Sequence, residues 1–213
     1  MSGKSQKYLD SSIKKYLDDL SARLPAPGGG SAAALVSATG ISCLLMTANF
    51  TVDKKGYEQY QDEIKNILVH LQSAICNLQS LIDEDVSAYT VLAVAYKLPK
   101  NTDDEIKERN EKIQSALKNS LSVPCKIFEI SVGVLPSAER LTEIGNKNLL
   151  SDVACGVSIL RAGIESAKFN IDINLKFMDD ADFKEETKIK YEKIMKDAFE
   201  EIEKIIKKTE VKL

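Results

Sequence analysis

Pro25-Ala26-Pro27-Gly28-Gly29-Gly30 followed by SAAALVSATGISCLLMTANF, Ser31 to Phe50, is the stretch whose reading decides the fold. No charged residue occurs from Gly28 to Val52. About 20 apolar residues suffice to span a bilayer, so a membrane segment is the first reading to test. It fails on composition: Ser31, Ser37, Thr39, Gly40, Ser42, Thr47, Asn49 and Thr51 dilute the run, and lipid offers no partner for so many polar groups. The stretch reads instead as a helix from Ser31 to about Phe50, buried inside the protein. Small side chains leave little distance between backbones, which predicts close neighbours on nearly every side and makes this the central helix. The Pro and Gly residues break the chain ahead of it, and Ser31 is a suitable N-cap.

Helical periodicity extends in both directions. Upstream, Tyr8, Leu9, Ile13, Tyr16, Leu17 and Leu20 recur at three- and four-residue steps, the pattern of one amphipathic helix. Downstream, an apolar series from Tyr57 and Tyr60 through Ile64, Leu71, Leu78 and Leu92 to Leu98-Pro99 predicts one very long helix of about 40 residues. Thr102 with Glu105 three residues on has the capping-box pattern and opens the next helix. Pro124 is expected to kink that helix, which then continues to a glycine stop near Gly145-Asn146. A further buried helix runs from about Leu149 to Phe177, and a last one follows the acidic break at Asp179 to Asp182. VLAVAY and FNIDINL have strand-like content but sit inside helical registers. The expected architecture is a single all-α domain over residues 1–213, bundle-like, around a buried central helix.

The composition suits a folded globular protein, with 44% hydrophobic and 29% charged residues. Twenty-nine Lys and Arg against 32 Asp and Glu give a net charge of −3, which provides no field to gather nucleic acid. MSGKSQKYLD carries charge where a secretory signal needs an apolar run, so a cytoplasmic protein is expected. Cys43, Cys76, Cys125 and Cys155 form no C-x-x-C pair, and His70 is the lone histidine, so neither zinc nor a disulfide framework is expected.

Asp85 is the most informative residue. The series Leu78, Ile82, Asp85, Tyr89, Leu92, Tyr96 steps by 4, 3, 4, 3 and 4, so a carboxylate replaces a core residue. An ionised carboxylate there requires a cationic partner, a set of donors, a raised pKa or a water-filled pocket. Gly28, Gly29 and Gly30 serve either as a flexible turn or as a backbone that approaches a planar ligand. They do not form a nucleotide loop, because no Lys follows the last glycine and no strand precedes the turn. Ser151 or Asp152 would cap the later buried helix. One face of that helix reads Asp152, Gly156, Ile159, Gly163, Ala167, Asn170, Asn174, and its two amides need partners in a neighbouring helix or in a ligand. Lys54 and Lys55 follow the central helix and either stay on the surface or reach back to a carboxylate or an anionic group. His70 reads as structural.

Together these segments resemble the cyclodeaminase/cyclohydrolase family, folate enzymes found alone or as the C-terminal part of formiminotransferase-cyclodeaminase. The resemblance rests on PAPGGGSAAAL at Pro25 to Leu35, the lysine pair within Thr51 to Tyr57, EDVSAY at Glu84 to Tyr89, and LPK at Leu98 to Lys100. It continues with Pro124, GNKNLLSD at Gly145 to Asp152, and the Asn170 to Asn174 segment followed by Asp179. Asp53 departs from it, standing where a glycine commonly precedes the lysines. The resemblance implies an all-helical homodimer that binds a tetrahydrofolate derivative, with no metal and no other cofactor. It implies hydrolysis of 5,10-methenyltetrahydrofolate to 10-formyltetrahydrofolate, or closure of 5-formiminotetrahydrofolate with loss of ammonia. A chain of this length without a formiminotransferase segment favours the first expectation. Asp85 and Lys54 are the expected catalytic pair, with Asp152 as second carboxylate. Gly28, Gly29, Gly30, Ser31, Tyr89, Asn148, Asn170 and Asn174 are the expected substrate contacts. A non-catalytic helical binding or assembly module is the contrasting possibility.

Overall fold

The computed structural model describes residues 7–213. Its helices are α1 (Ile13–Ser21), α2 (Gly29–Asn49), α3 (Gln61–Tyr96), α4 (Asp103–Gly133), α5 (Leu135–Ile144), α6 (Leu150–Lys176) and α7 (Ala181–Glu210), with short 3-10 turns at Tyr8–Asp10, Glu58–Tyr60 and Lys147–Leu149. No strand occurs among the described residues, and both strand-like segments lie within α3 and α6. The protein is all-α.

α2 is packed by α6, α3 and α4. Glycine makes the α2–α6 contact possible: a β-carbon on Gly40 would stand 2.8 Å from the carbonyl oxygen of Gly156, and one on Gly156 would stand 2.8 Å from that of Gly40. At the next level Gly163 lies against Ser37, whose Oγ accepts a hydrogen bond from Ser131 Oγ of α4 at 2.9 Å. These contacts make α2 and α6 antiparallel. α2 is not enclosed on nearly every side, as its composition suggested. A face from Ala32 to Phe50 stays uncovered, with Met46 37% and Phe50 61% exposed. Lack of charge permits burial without saying what does the burying.

Other boundaries differ for local reasons. The N-terminal apolar series is not one helix: Ser12 Oγ accepts the N–H of Lys15 at 3.1 Å and starts α1, and Ile13 and Leu17 point outward while Tyr16 is buried. α3 has 36 residues, a length of about 54 Å. At α4, Thr102 Oγ1 accepts the N–H of Glu105, while the Glu105 carboxylate accepts that of Asn101, one residue earlier than in the ordinary capping box. α4 runs through Pro124 but stops at Gly133, not near Gly145. Pro136 in the first turn of α5 lacks the N–H that a continuous helix would need there. Gly145 ends α5 in extended backbone, and glycine is needed there because a β-carbon would lie 2.4 Å from the Leu141 carbonyl oxygen.

Neither Ser151 nor Asp152 caps α6. The N-cap of α6 is Leu149, and the polar cap falls instead on the 3-10 turn before it, at Asn146, whose N–H donates to Thr51 Oγ1, whose Nδ2 donates to the Phe50 carbonyl, and whose Oδ1 accepts the N–H of Asn148. Asp53 has φ of +52°, which accounts for the glycine usual at that place in the resemblance. His70 bonds Ser137 Oγ at 3.0 Å, as a structural histidine should. α2 and the stretch from Asp103 to Ile144 have the length and hydropathy of membrane spans, yet 61% and 50% of those windows are buried in the protein.

Candidate active site

The N-terminal end of α2 opens into a cavity of about 330 Å³, lined by the Pro25–Gly30 turn and by α3, α4 and α6. α3 contributes Asp85, Tyr89, Leu92 and Tyr96, successive members of the stripe already singled out in the sequence. α4 contributes Leu117 and Ser120, and α6 contributes Asn170, Ile173, Asn174 and Phe177. The volume lies at the lower end of small-molecule sites, about 300–1,000 Å³, and suits a bicyclic ring system.

Asp85 closes the inner end. Its Oδ2 accepts the Ser31 N–H at 2.9 Å, so a carboxylate of α3 satisfies an unpaired donor in the first turn of α2. Ser31 is therefore not the N-cap: the N-cap of α2 is Gly28, three residues earlier, which has no side chain to cap with. Instead Ser31 Oγ accepts the hydroxyl of Tyr16 at 3.2 Å, with both residues buried. The approach of the two elements is close. A β-carbon on Gly30 would stand 2.1 Å from Asp85 Oδ1, and one on Gly29 would stand 3.3 Å from Asn170 Nδ2. Glycine is required at position 30, whereas at position 29 a β-carbon would ask only a small shift of the Asn170 amide.

Asp85 makes no ion pair among the described residues. Burial pushes its carboxyl above the ordinary carboxylate range, and the Ser31 N–H offsets part of that rise. Tyr16 is pushed up by burial and by Asp85, with the Ser31 hydroxyl acting the other way. Of the alternatives open to Asp85, a donor, a raised pKa and a pocket are present, and a cation is not.

The amides are oriented by their own helix. Asn170 Nδ2 donates to the Ser166 carbonyl and Asn174 Nδ2 to the Asn170 carbonyl, both at 2.8 Å. Each Oδ1 is thereby left as an acceptor at the cavity, suited to the N–H edge of a heterocycle. Tyr89, Tyr96 and Phe177 supply aromatic faces, which attract a cation.

Three expected site residues lie elsewhere. Lys54 lines a separate depression with Asp53, Lys55, Glu58 and Gln61, beyond the C-terminal end of α2. α2 has 21 residues, so its two ends are about 30 Å apart and Lys54 does not reach Asp85 within one chain. Asn148 is exposed in the turn before α6. Asp152 lies in the first turn of α6 near Cys43 and Cys155, and helps to hold the Cys43 thiol above its ordinary pKa, after burial. By contrast Gly28, Gly29, Gly30, Asp85, Tyr89, Asn170 and Asn174 share the cavity, and Ser31 touches Asp85 from behind it. Sequence reasoning missed Ser120, Phe177 and Tyr16 at the site. Phe177 was within reach, three residues after Asn174 on the same helical face.

An all-helical fold with an acid-floored, amide- and aromatic-lined cavity at a helix N-terminus has the features of a small-molecule site. The family profile described as formiminotransferase-cyclodeaminase matches residues 12–193, and the chain belongs to that family. It is 38% identical to a methenyltetrahydrofolate cyclohydrolase of Methylorubrum extorquens over 174 residues, 82% of this chain and 84% of that one. It is 34% identical to the formimidoyltransferase-cyclodeaminase of Rattus norvegicus over 92% of this chain, a match that spans 36% of that longer protein. The crystal structure of a formiminotetrahydrofolate cyclodeaminase from Thermotoga maritima superposes with a TM-score of 0.79 at 30% identity, covering 96% of each chain.

Proposed function

We infer that this chain is an enzyme of folate one-carbon metabolism that hydrolyses 5,10-methenyltetrahydrofolate to 10-formyltetrahydrofolate. The observation that carries the reading is Asp85, a half-buried carboxylate held by a helix N-terminus at the floor of a cavity, in a chain similar to a cyclohydrolase over most of both lengths. The substrate's bridging carbon is cationic and already electrophilic, so the reaction needs no metal and no further cofactor. Asp85 takes a proton from water as the hydroxyl oxygen bonds to that carbon. The hydroxyl of the tetrahedral adduct then loses its proton as the carbonyl forms and the bond from carbon to N5 breaks. N5 takes up one proton, and the second proton of the water is released. Asn170 and Asn174 orient the pterin edge, the glycine turn lines the cleft, and the aromatic faces favour the cationic reactant.

The second reading is closure of 5-formiminotetrahydrofolate with loss of ammonia. The structural likeness to a cyclodeaminase favours it, and the two reactions share the same kind of tetrahedral adduct. The protein works as a cytoplasmic homodimer in this proposal, without nucleic acid or membrane partners.

Two assays test the reading. Loss of the near-ultraviolet absorbance of the methenyl compound is followed against its buffer hydrolysis, and ammonia is measured with the formimino compound. Turnover of the first supports the cyclohydrolase, turnover of the second alone supports the cyclodeaminase, and neither leaves a binding or assembly module.

A further inference from the structure

Two features of the molecule have no part in the reaction so far: the N-terminal segment from Tyr8 to Ser21, and the bare start of α2. α2 begins with Gly28 as N-cap, then Gly29 and Gly30, so no side chain holds its first turn. The Ser31 N–H that fixes Asp85 therefore lies at a helix end free to fray unless another group anchors it. α1 is equally unusual. It leaves Ile13 77% and Leu17 53% exposed, and the one side chain it buries is that of Tyr16.

Tyr16 is one link in a closed circuit of contacts. Asp83 Oδ1 on α3 accepts the Tyr8 N–H at 2.7 Å, and the Tyr8 ring meets the Tyr16 ring edge-on, with 5.4 Å between centroids. The Tyr8 hydroxyl donates to Asp19 at 2.9 Å, which ties Tyr8 to the helix that carries Tyr16. The Tyr16 hydroxyl donates to Ser31 Oγ at 3.2 Å, and the Ser31 N–H leads back to α3 at Asp85. Asp83 and Asp85 are two residues apart and so point about 200° apart around α3. The segment is a strap that passes round α3 and fastens the start of α2 against it.

We propose that Tyr16 is a positioning residue for the base: its hydroxyl anchors Ser31 and thereby keeps the Ser31 N–H on Asp85 in the orientation that proton transfer requires. The proposal rests on Asp85 being the base of the reaction.

The surroundings of Asp85 leave this task to the strap. α2 carries no charge, and the cavity-lining residues of α4 and α6, among them Ser120, Asn170 and Asn174, are uncharged. On α3, Tyr89 and Tyr96 share the cavity, while Asp83 is turned to Tyr8 and Glu84 to Lys126 at 3.8 Å. The Ser31 N–H is thus the group that favours the ionised form of Asp85, against the upward push of burial. Burial and Asp85 raise Tyr16, so its phenol stays neutral and donates throughout the range in which a carboxyl titrates. Without that hydroxyl the first turn of α2 loosens, the N–H bond weakens, and Asp85 takes up its proton at higher pH.

Tyr16→Phe tests this, because it keeps the ring on Tyr8 and removes only the hydroxyl. Its kcat is expected to fall about 10- to 100-fold with KM little changed, and the acid limb of the kcat profile to move to higher pH. Ser31→Ala, which removes the acceptor, should act in the same direction, and the double variant should be no worse than the poorer single one. Asp83→Ala unfastens the far end of the strap and should move the limb the same way by less. A readout independent of turnover is the titration of the Asp85 carboxyl carbon by NMR, assigned with Asp85→Asn, whose midpoint should be higher in Tyr16→Phe than in the wild type. A lower thermal midpoint with an unmoved pH profile and an unmoved Asp85 titration would mean that Tyr16 only packs, and would overturn the proposal. Additive losses in the double variant would overturn it too. If Tyr16→Phe does not fold, Ser31→Ala carries the same measurements. If the wild type turns over neither folate, the functional reading fails, and the Asp85 titration alone decides the positioning.

Discussion

Replacing Gly30 by alanine would place a methyl carbon 2.1 Å from Oδ1 of Asp85, 2.7 Å from its Cγ and 3.1 Å from its Oδ2. The obstructing group is the end of a short side chain, so it is the carboxylate that must move, and moving it breaks the 2.9 Å bond to the Ser31 N–H. A hydrogen bond to a charged group contributes about 1.5–3 kcal/mol, and the better helix propensity of alanine returns up to about 1, leaving a net loss of roughly 1–2 kcal/mol. For a chain of 213 residues the unfolding entropy is about 0.45 kcal/mol/K, so the thermal midpoint should fall by roughly 2–4 °C. The catalytic effect should be far larger, at least about 100-fold in turnover, because the displaced group is the base. Thermal unfolding followed by circular dichroism, together with the methenyl absorbance assay, measures both quantities on one sample. Gly28→Ala provides the stability control, since a β-carbon there meets nothing within 4 Å. Equal stability of the two variants, with Gly30→Ala fully active, would refute the placement of Asp85 against the α2 N-terminus.

Asp85→Asn should cut turnover at least about 100-fold while leaving the chain no less stable at pH 7, because Asp85 makes no ion pair among the described residues of its own chain. A loss of several kcal/mol by denaturant titration, as from a stranded charge, would contradict the site. The sign of the pH effect follows from the raised carboxyl. The penalty for the buried charge is fully present above its folded pKa and disappears as the group is protonated, so any stability advantage of Asp85→Asn should close as pH falls below about 4. Turnover should fall as pH drops through the same raised value, and a flat kcat profile down to the ordinary carboxylate range would count against Asp85 as the base. Gly40→Ala should cost roughly 3 kcal/mol in a denaturant titration, because its β-carbon would meet the Gly156 carbonyl oxygen at 2.8 Å, and backbone cannot swing aside. Tyr16→Phe should cost about 1 kcal/mol by the same measurement, through loss of the bond to Ser31.

Much of this protein is written in local order. The long apolar series of α3 and the uncharged α2 are legible because a helix repeats every 3.6 residues, so neighbours on a face are neighbours in sequence. The same rule exposed Asp85 as a misfit on an apolar stripe and linked it to Tyr89, Leu92 and Tyr96, which do line one cavity. What periodicity could not supply is which helix end meets which. The partner of Asp85 is a backbone N–H 54 positions earlier, and Lys54, adjacent to α2 in sequence, lies a whole helix length away from Asp85. Those placements depend on glycine contacts such as Gly30 on Asp85 and Gly40 on Gly156, where the absence of a side chain sets the distance, and an absent side chain leaves no period to read. The identities of α2, α3, α6 and α7 therefore belonged to the sequence alone, while the division of α4 from α5 did not. The pairing of the α2 N-terminus with Asp85, the distance of Lys54 from it and the open face of α2 were decided only when packing fixed the separations between elements.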